Sequence, residues 1–206
     1  MSRRGELLEF AVLGLLHESP MHGYELRKQL NTALGAFRAL SYGSLYPCLR
    51  DLLGKGWVYE AADEAIPATS RRARIVYELT AEGKERFQEM AEQAGPASWD
   101  DEEFDVHFAF FARTKAEVRL RILEGRRSRL EERLANIRTA SARNRERMDT
   151  YTLALQRHGE ESCEREVRWL EELISKERSA VAGATTSDGH PTDPAAGPTG
   201  IPTQTA

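Results

Sequence analysis

Long apolar runs are missing from this sequence of 206 residues. The strongest, Leu7 to Leu16, is interrupted by Glu9 and bounded by Glu6 and Glu18. It is too short to span a bilayer core of about 30 Å. It also lacks the small-residue cleavage site of a secretion signal, so it reads as a buried helix of a soluble chain. Cysteine is scarce: the two present, Cys48 and Cys163, are far apart, with no C-x-x-C and no neighbouring histidine cluster. That excludes a disulfide framework and a zinc site, and a reducing cytoplasm is the simplest setting. The five histidines (His17, His22, His107, His158, His190) fall on unrelated segments. A metal triad, a glycine-rich phosphate loop and a nucleophile elbow are all absent. Neither an enzyme nor a bound cofactor is expected. An excess of positive charge is missing too, with 29 Lys and Arg against 33 Asp and Glu and a net charge of -4. A nucleic-acid partner then requires basic residues gathered locally.

Glycine and proline are nearly absent from residues 99 to 182, which are rich in Arg, Glu, Leu and Ala. Residues 183 to 206 hold Gly, Ala, Thr, Pro and Ser with few large apolar groups, a composition that predicts a disordered tail. Gly95-Pro96 marks a break. Three regions follow: 1–94, 99–182 and the tail 183–206.

Residues 1–94 mix two periods. Leu7 to Leu16 form an apolar helix stopped by Ser19-Pro20, with Arg3 and Arg4 ahead of it as a basic arm. A second helix starts near His22-Gly23 and carries Leu26, Leu30 and Leu34 on one stripe. Ser41 is a plausible cap for a third helix that buries Leu45, Leu49, Leu52 and Leu53 and ends at Gly54-Lys55-Gly56. Pro47 is tolerated only in a first turn, which moves the regular helix start toward Leu45 or Tyr46. Free N–H groups there would suit an anion; a kinked core helix is the other reading. Trp57 to Ala61 and Arg74 to Leu79 read as strands joined by a polar loop. Thr80 then caps a helix reaching about Gln93. Three helices, a hairpin and a helix are the element order of a winged helix-turn-helix.

Residues 99–182 read as helices. Phe104, Phe108 and Phe111 recur at helical spacing, and Thr114-x-x-Glu117 is a capping-box signature. A helix then runs to a turn at His158-Gly159, with the stretch 138–147 polar nearly all round, and a last helix covers 160–181. A polar helix of that kind needs a partner or ion pairs to hold it. The fold class is therefore mainly α with a small β-hairpin: an N-terminal winged helix plus a C-terminal, coiled-coil-like helical dimerisation domain.

In such a fold the third helix enters the major groove. Its exposed side would carry Ser41, Tyr42, Ser44, Tyr46 and Arg50, and these would equally serve as ordinary surface residues. Arg71, Arg72 and Arg74 crowd the wing, where guanidiniums suit phosphate or minor-groove contact, although a solvated turn has the same look. Trp99, Phe104, Phe108, Phe110 and Phe111 would line an effector pocket for a small aromatic or apolar molecule, or form plain interface core. Cys48 is either an oxidant sensor or inert packing.

Several stretches together resemble the PadR-like transcriptional regulators. They are Leu8-Glu9-Phe10-Ala11-Val12-Leu13-Gly14-Leu15-Leu16, Pro20-Met21-His22-Gly23-Tyr24-Glu25-Leu26, Ser41-Tyr42-Gly43-Ser44-Leu45-Tyr46-Pro47-Cys48-Leu49, and Leu52-Leu53-Gly54-Lys55-Gly56-Trp57-Val58. Tyr77-Glu78-Leu79-Thr80-Ala81-Glu82-Gly83 adds the family's strand-to-helix signature, and Arg168-Trp169-Leu170-Glu171 resembles its last helix. The resemblance implies a homodimer that binds a double-stranded operator, an inverted repeat, mostly to repress, and is often released by a small molecule. It would place Gly23 and Tyr24 near phosphates, and Ser41, Tyr42, Gly43, Ser44 and Tyr46 at the groove. The third helix departs from the usual Ser-Pro or Ser-x-Gly-Thr opening, and the wing is long and carries Pro67. An oligomerisation or adaptor module without sequence-specific DNA binding is the competing reading.

Overall fold

A computed structural model describes residues 2–34, 44–62, 75–93, 95–144 and 148–187. The first helix, α1 (Arg3–Glu18), starts where Ser2 accepts a hydrogen bond from the Gly5 amide and stops at Ser19. Every residue from Leu7 to Leu16 is buried, so α1 is the axis of the N-terminal core. Glu9 is buried with them, and Lys55 Nζ at 2.7 Å and Arg86 Nε at 3.6 Å neutralise it. Both cations also lie over the Trp57 ring, at 4.5 and 5.2 Å.

A two-residue strand, β1 (Met21–His22), precedes α2 (Gly23–Leu34). The next helix, α3 (Leu45–Gly54), leads into β2 (Val58–Ala62), β3 (Ile75–Leu79) and α4 (Ala81–Glu92). The sheet is antiparallel in the order β1-β3-β2, with Met21 opposite Tyr77 and Val58 opposite Leu79. The expected hairpin is thus the larger part of a three-stranded sheet. A strand of two residues is too short for alternation to signal it.

The turn after α3 closes a Schellman pattern: Gly56 at φ 71° donates to Leu53 O, and Trp57 donates to Leu52 O. Thr80 accepts from the Gly83 amide at 3.0 Å and donates to Gly56 O at 2.8 Å, tying α4 to that turn. Gly83 is required because a Cβ there would overlap the Trp57 carbonyl. The Leu-Thr-x-x-Gly signature is a docking device for α4.

A 3-10 turn (Pro96–Trp99) and α5 (Asp101–Ala109) lead to α6 (Ala116–Asn144) and α7 (Thr150–Ser187). Helices α6 and α7 form an antiparallel hairpin, with Arg119 paired to Glu177 near one end and Arg138 to Glu164 toward the other. Its core joins Val118, Ile122, Leu123, Leu130, Leu134, Cys163, Leu170 and Ile174 to Phe104.

Three expectations change here. The chain reverses before Thr150 and not at His158-Gly159, which lies inside α7. Asp149 explains it: its carboxylate accepts from the Tyr151 and Thr152 amides and the Thr152 hydroxyl, satisfying donors that Gly159 has no means to satisfy. The polar stretch 138–144 then meets polar partners on α7, with Ser141 Oγ 2.9 Å from Gln156 Oε1. Thr114 does not form the capping box; its hydroxyl donates to Phe110 O, and α6 begins at Ala116. Helix α7 runs to Ser187, past the expected end near 181, and residues 188–206 of the predicted tail lie outside the described residues.

Candidate nucleic-acid interface

Helix α3 has two faces. Leu45, Leu49 and Leu52 are buried against α1 and the sheet, while Ser44, Tyr46, Pro47 and Arg50 are exposed. Tyr46 and Arg50 are four residues apart and share one stripe. Pro47 sits in the first turn, as its missing N–H demands. Ser44 is the residue before α3, and its side chain makes no capping bond.

The start of α2 meets this face. Glu25 accepts from the His22 amide at 3.2 Å, and His22 Nδ1 lies 2.9 Å from Ile75 O, so β1 anchors the turn to β3. Gly23 sits in the narrow space between the Tyr77 and Tyr46 rings, which a Cβ would approach to 3.4 and 3.5 Å. Tyr24 projects beside it, 73% exposed, and Tyr46 is 58% exposed. A cleft of about 760 Å³ opens between α2, α3 and the sheet. Gly23, Tyr24, Tyr46 and Arg50 line it together.

Four of the sequence-predicted residues therefore converge, and Ser44 lies at the start of the same helix as two of them. Ser41, Tyr42, Gly43, Arg71, Arg72 and Arg74 lie outside the described residues. Arg3 is not part of a basic arm: it opens α1 and pairs with Asp100 at 2.7 Å and with Glu103. Sequence reasoning missed Glu25, Glu60 and Tyr77, which also line the cleft. Burial first, then the hydrogen-bonded Glu60 carboxylate, raises the Tyr77 hydroxyl above the ordinary tyrosine range. Both registers are needed for that grouping: β2–β3 sets Glu60 opposite Tyr77, and β1–β3 brings the start of α2, with Glu25, beside them.

Cys48, half-buried on α3, is pushed up to about 12 by burial and by the Glu9 and Asp51 carboxylates. It stays a thiol at neutral pH, which removes the sensor reading.

The five aromatics do not share one place. Phe104, Phe108, Phe111 and Trp169 pack on one another, with Phe108 4.9 Å from Phe111 and 5.3 Å from Trp169. Phe110 turns instead to Phe10 and Phe87 in the α1 core. Trp99 lies over Gly125, where a Cβ would overlap its ring. A separate cavity of about 290 Å³ sits where α1, α4 and α5 meet, lined in part by Leu7, Phe10, Met90, Glu103 and His107. His107 is 8% exposed, and burial lowers it to about 4. Its Nδ1 is buried without a hydrogen-bond partner among the described residues.

Among the described residues no helix is long and apolar enough to cross a membrane. Residues 12–89 match the family model of the transcriptional regulator PadR-like family. Comparison with curated proteins finds no match. Solved structures that are similar include Bacillus subtilis PadR in complex with operator DNA, at 20% identity and TM-score 0.39, covering 82% of this chain and 98% of that one. The same protein in complex with p-coumaric acid gives 19% and 0.38, covering 84% and 99%. A PadR-like transcriptional regulator from Bacillus cereus gives 19% and 0.38, with the same coverage of 84% and 99%.

Proposed function

We propose that this chain, a PadR-like transcriptional regulator by the match over its residues 12–89, is a homodimeric repressor that reads an inverted-repeat operator. The observation that carries this is that Tyr24 on α2 and Tyr46 and Arg50 on α3 are exposed around one cleft, while the other face of α3 is buried. In this reading α3 enters the major groove, Arg50 reaches base edges or phosphate, and the Tyr24 and Tyr46 hydroxyls bind phosphates. Ser41, Tyr42, Gly43 and Ser44 supply the approach to α3, Gly23 lets α2 come close, and Arg71, Arg72 and Arg74 contact the backbone from the wing. Residues 1–94 serve as the reading unit and 99–182 as the dimerisation unit. Support for the second comes from the apolar groups exposed on α7, Tyr151 at 87% and Leu155 at 71%. A two-fold pair spaces its reading heads by about one DNA turn.

A small aromatic or apolar effector releases the operator. Trp99, Phe104, Phe108 and Phe111 do not line the cavity beside Phe10 and His107, and it is that cavity, where α1, α4 and α5 meet, that supports a seat. Bacillus subtilis PadR has been solved with p-coumaric acid, which makes that acid a first probe.

Footprinting on the promoter beside the protein's own gene tests the reading. Protection of an inverted repeat is expected. No protection by folded protein would favour the adaptor role.

A further inference from the structure

Among the described residues that line the cleft on the reading face, carboxylates outnumber arginines, so in the proposed reading phosphate meets the projecting Tyr24, Tyr46 and Arg50 side chains and not the cleft itself. Two carboxylates, Glu25 and Glu60, line it, against one arginine, the exposed Arg50. Three tyrosines, Tyr24, Tyr46 and Tyr77, surround them. Ring faces and carboxylates together attract a positive charge that also offers a flat apolar surface. The volume of about 760 Å³ falls in the range of small-molecule sites. Leu49, Leu53 and Ile75 complete an apolar floor.

We propose that this cleft binds a flat organic cation, and that a molecule seated there excludes duplex DNA. The exclusion rests on the reading of this face as the DNA contact; the cation site does not. This ligand would act at the groove itself, unlike an effector at the α1–α5 junction. It would insert between the Tyr46 and Tyr77 rings beside Gly23, with its charge toward Glu25 and Glu60. Arg50, Glu25 and Glu60 are all exposed, so water screens the repulsion and the attraction alike, and the ring faces supply the rest of the selectivity.

The test is calorimetric titration of the full chain with N-methylquinolinium, and with neutral quinoline at mildly alkaline pH as the uncharged isostere. Quinoline should bind at least about tenfold more weakly, and the E25Q/E60Q double variant should lose about tenfold for the cation alone. Y46L, at an exposed position, should weaken both probes without changing the melting temperature. Equal binding of the two probes, or a cation affinity unmoved by both variants, overturns the site. In a parallel assay the cation should displace a bound operator duplex. If the duplex binds and the cation binds without displacing it, the exclusion is wrong. If the cation binds as expected but no duplex binds at all, the cation site stands and the DNA reading, with the exclusion, fails.

Discussion

Glu9 shows how one residue holds the N-terminal unit together. A carboxylate this deep is tolerated because Lys55 and Arg86 reach it from the end of α3 and from α4. Removing it leaves Lys55 with Asp51 and Arg86 with Glu89 as their remaining carboxylate partners, both on the solvent side. Glu9→Ala should cost about 2–3 kcal/mol by denaturant unfolding, the lower part of the buried-pair range because both cations are partly solvated. His107 and Asp105 make opposite pH predictions. Burial lowers the His107 folded value to about 4, so its contribution to stability is present above 6.5 and lost as pH falls toward 4. His107→Leu should flatten the acid limb of the stability–pH curve by about 2–3 kcal/mol. Burial raises Asp105 to about 6, opposed by Arg126, so its contribution is present below 3.8 and lost as pH rises through 6. Asp105→Asn should gain about 1 kcal/mol near neutral pH, after discounting for partial exposure, and nothing in acid.

At the scale of elements, the glycines separate docking from tolerance. Gly83 lies against the Trp57 carbonyl, so Gly83→Ala should cost about 3 kcal/mol and loosen α4. Gly159 has open space around it within α7, so Gly159→Ala should gain about 1 kcal/mol. Thermal melts of the pair check both signs. Much of this was legible in the sequence: α1 from its apolar run, the Thr80 cap, the end of α3, and the delayed start of α3 at Pro47. What was not legible depended on partners distant in sequence. The β1 strand exists only through pairing with β3, and that pairing adds Glu25 to the Glu60–Tyr77 pair that the β2–β3 register makes. The α6–α7 reversal was misplaced because Gly159 is a stronger local signal than Asp149, although the capping geometry at Asp149 decides it. Sequence reasoning groups Phe110 with the other aromatics although it lies off the Phe104-Phe108-Phe111 spacing; it precedes a 3-10 turn, Phe111–Arg113, and packs in the α1 core.

For the whole molecule, a net charge of -4 must coexist with binding to a polyanion. In the proposed dimer a small reading patch on each copy would resolve this, since affinity follows local cations and not the total. The salt dependence should accordingly be shallow for each protomer and double on dimerisation. Within the C-terminal helices, Arg126 is a buried connector. It donates to Glu166 on α7, Trp99 O in the linking turn and Asp101 on α5, and it lies over the Phe104 ring at 4.3 Å. Arg126→Met should loosen the linking turn and α5 from the α6–α7 hairpin, seen as earlier proteolysis near Gly95.

The central claim is that Tyr46 and Arg50 on α3 contact the operator. Its most direct measurement is the anisotropy of a labelled operator duplex, titrated across a salt series with the native chain and with Tyr46→Phe/Arg50→Ala. Both residues are exposed, so the variant should keep its melting temperature, bind at least about tenfold more weakly and show a smaller salt slope. An unchanged affinity with an unchanged slope would contradict the account.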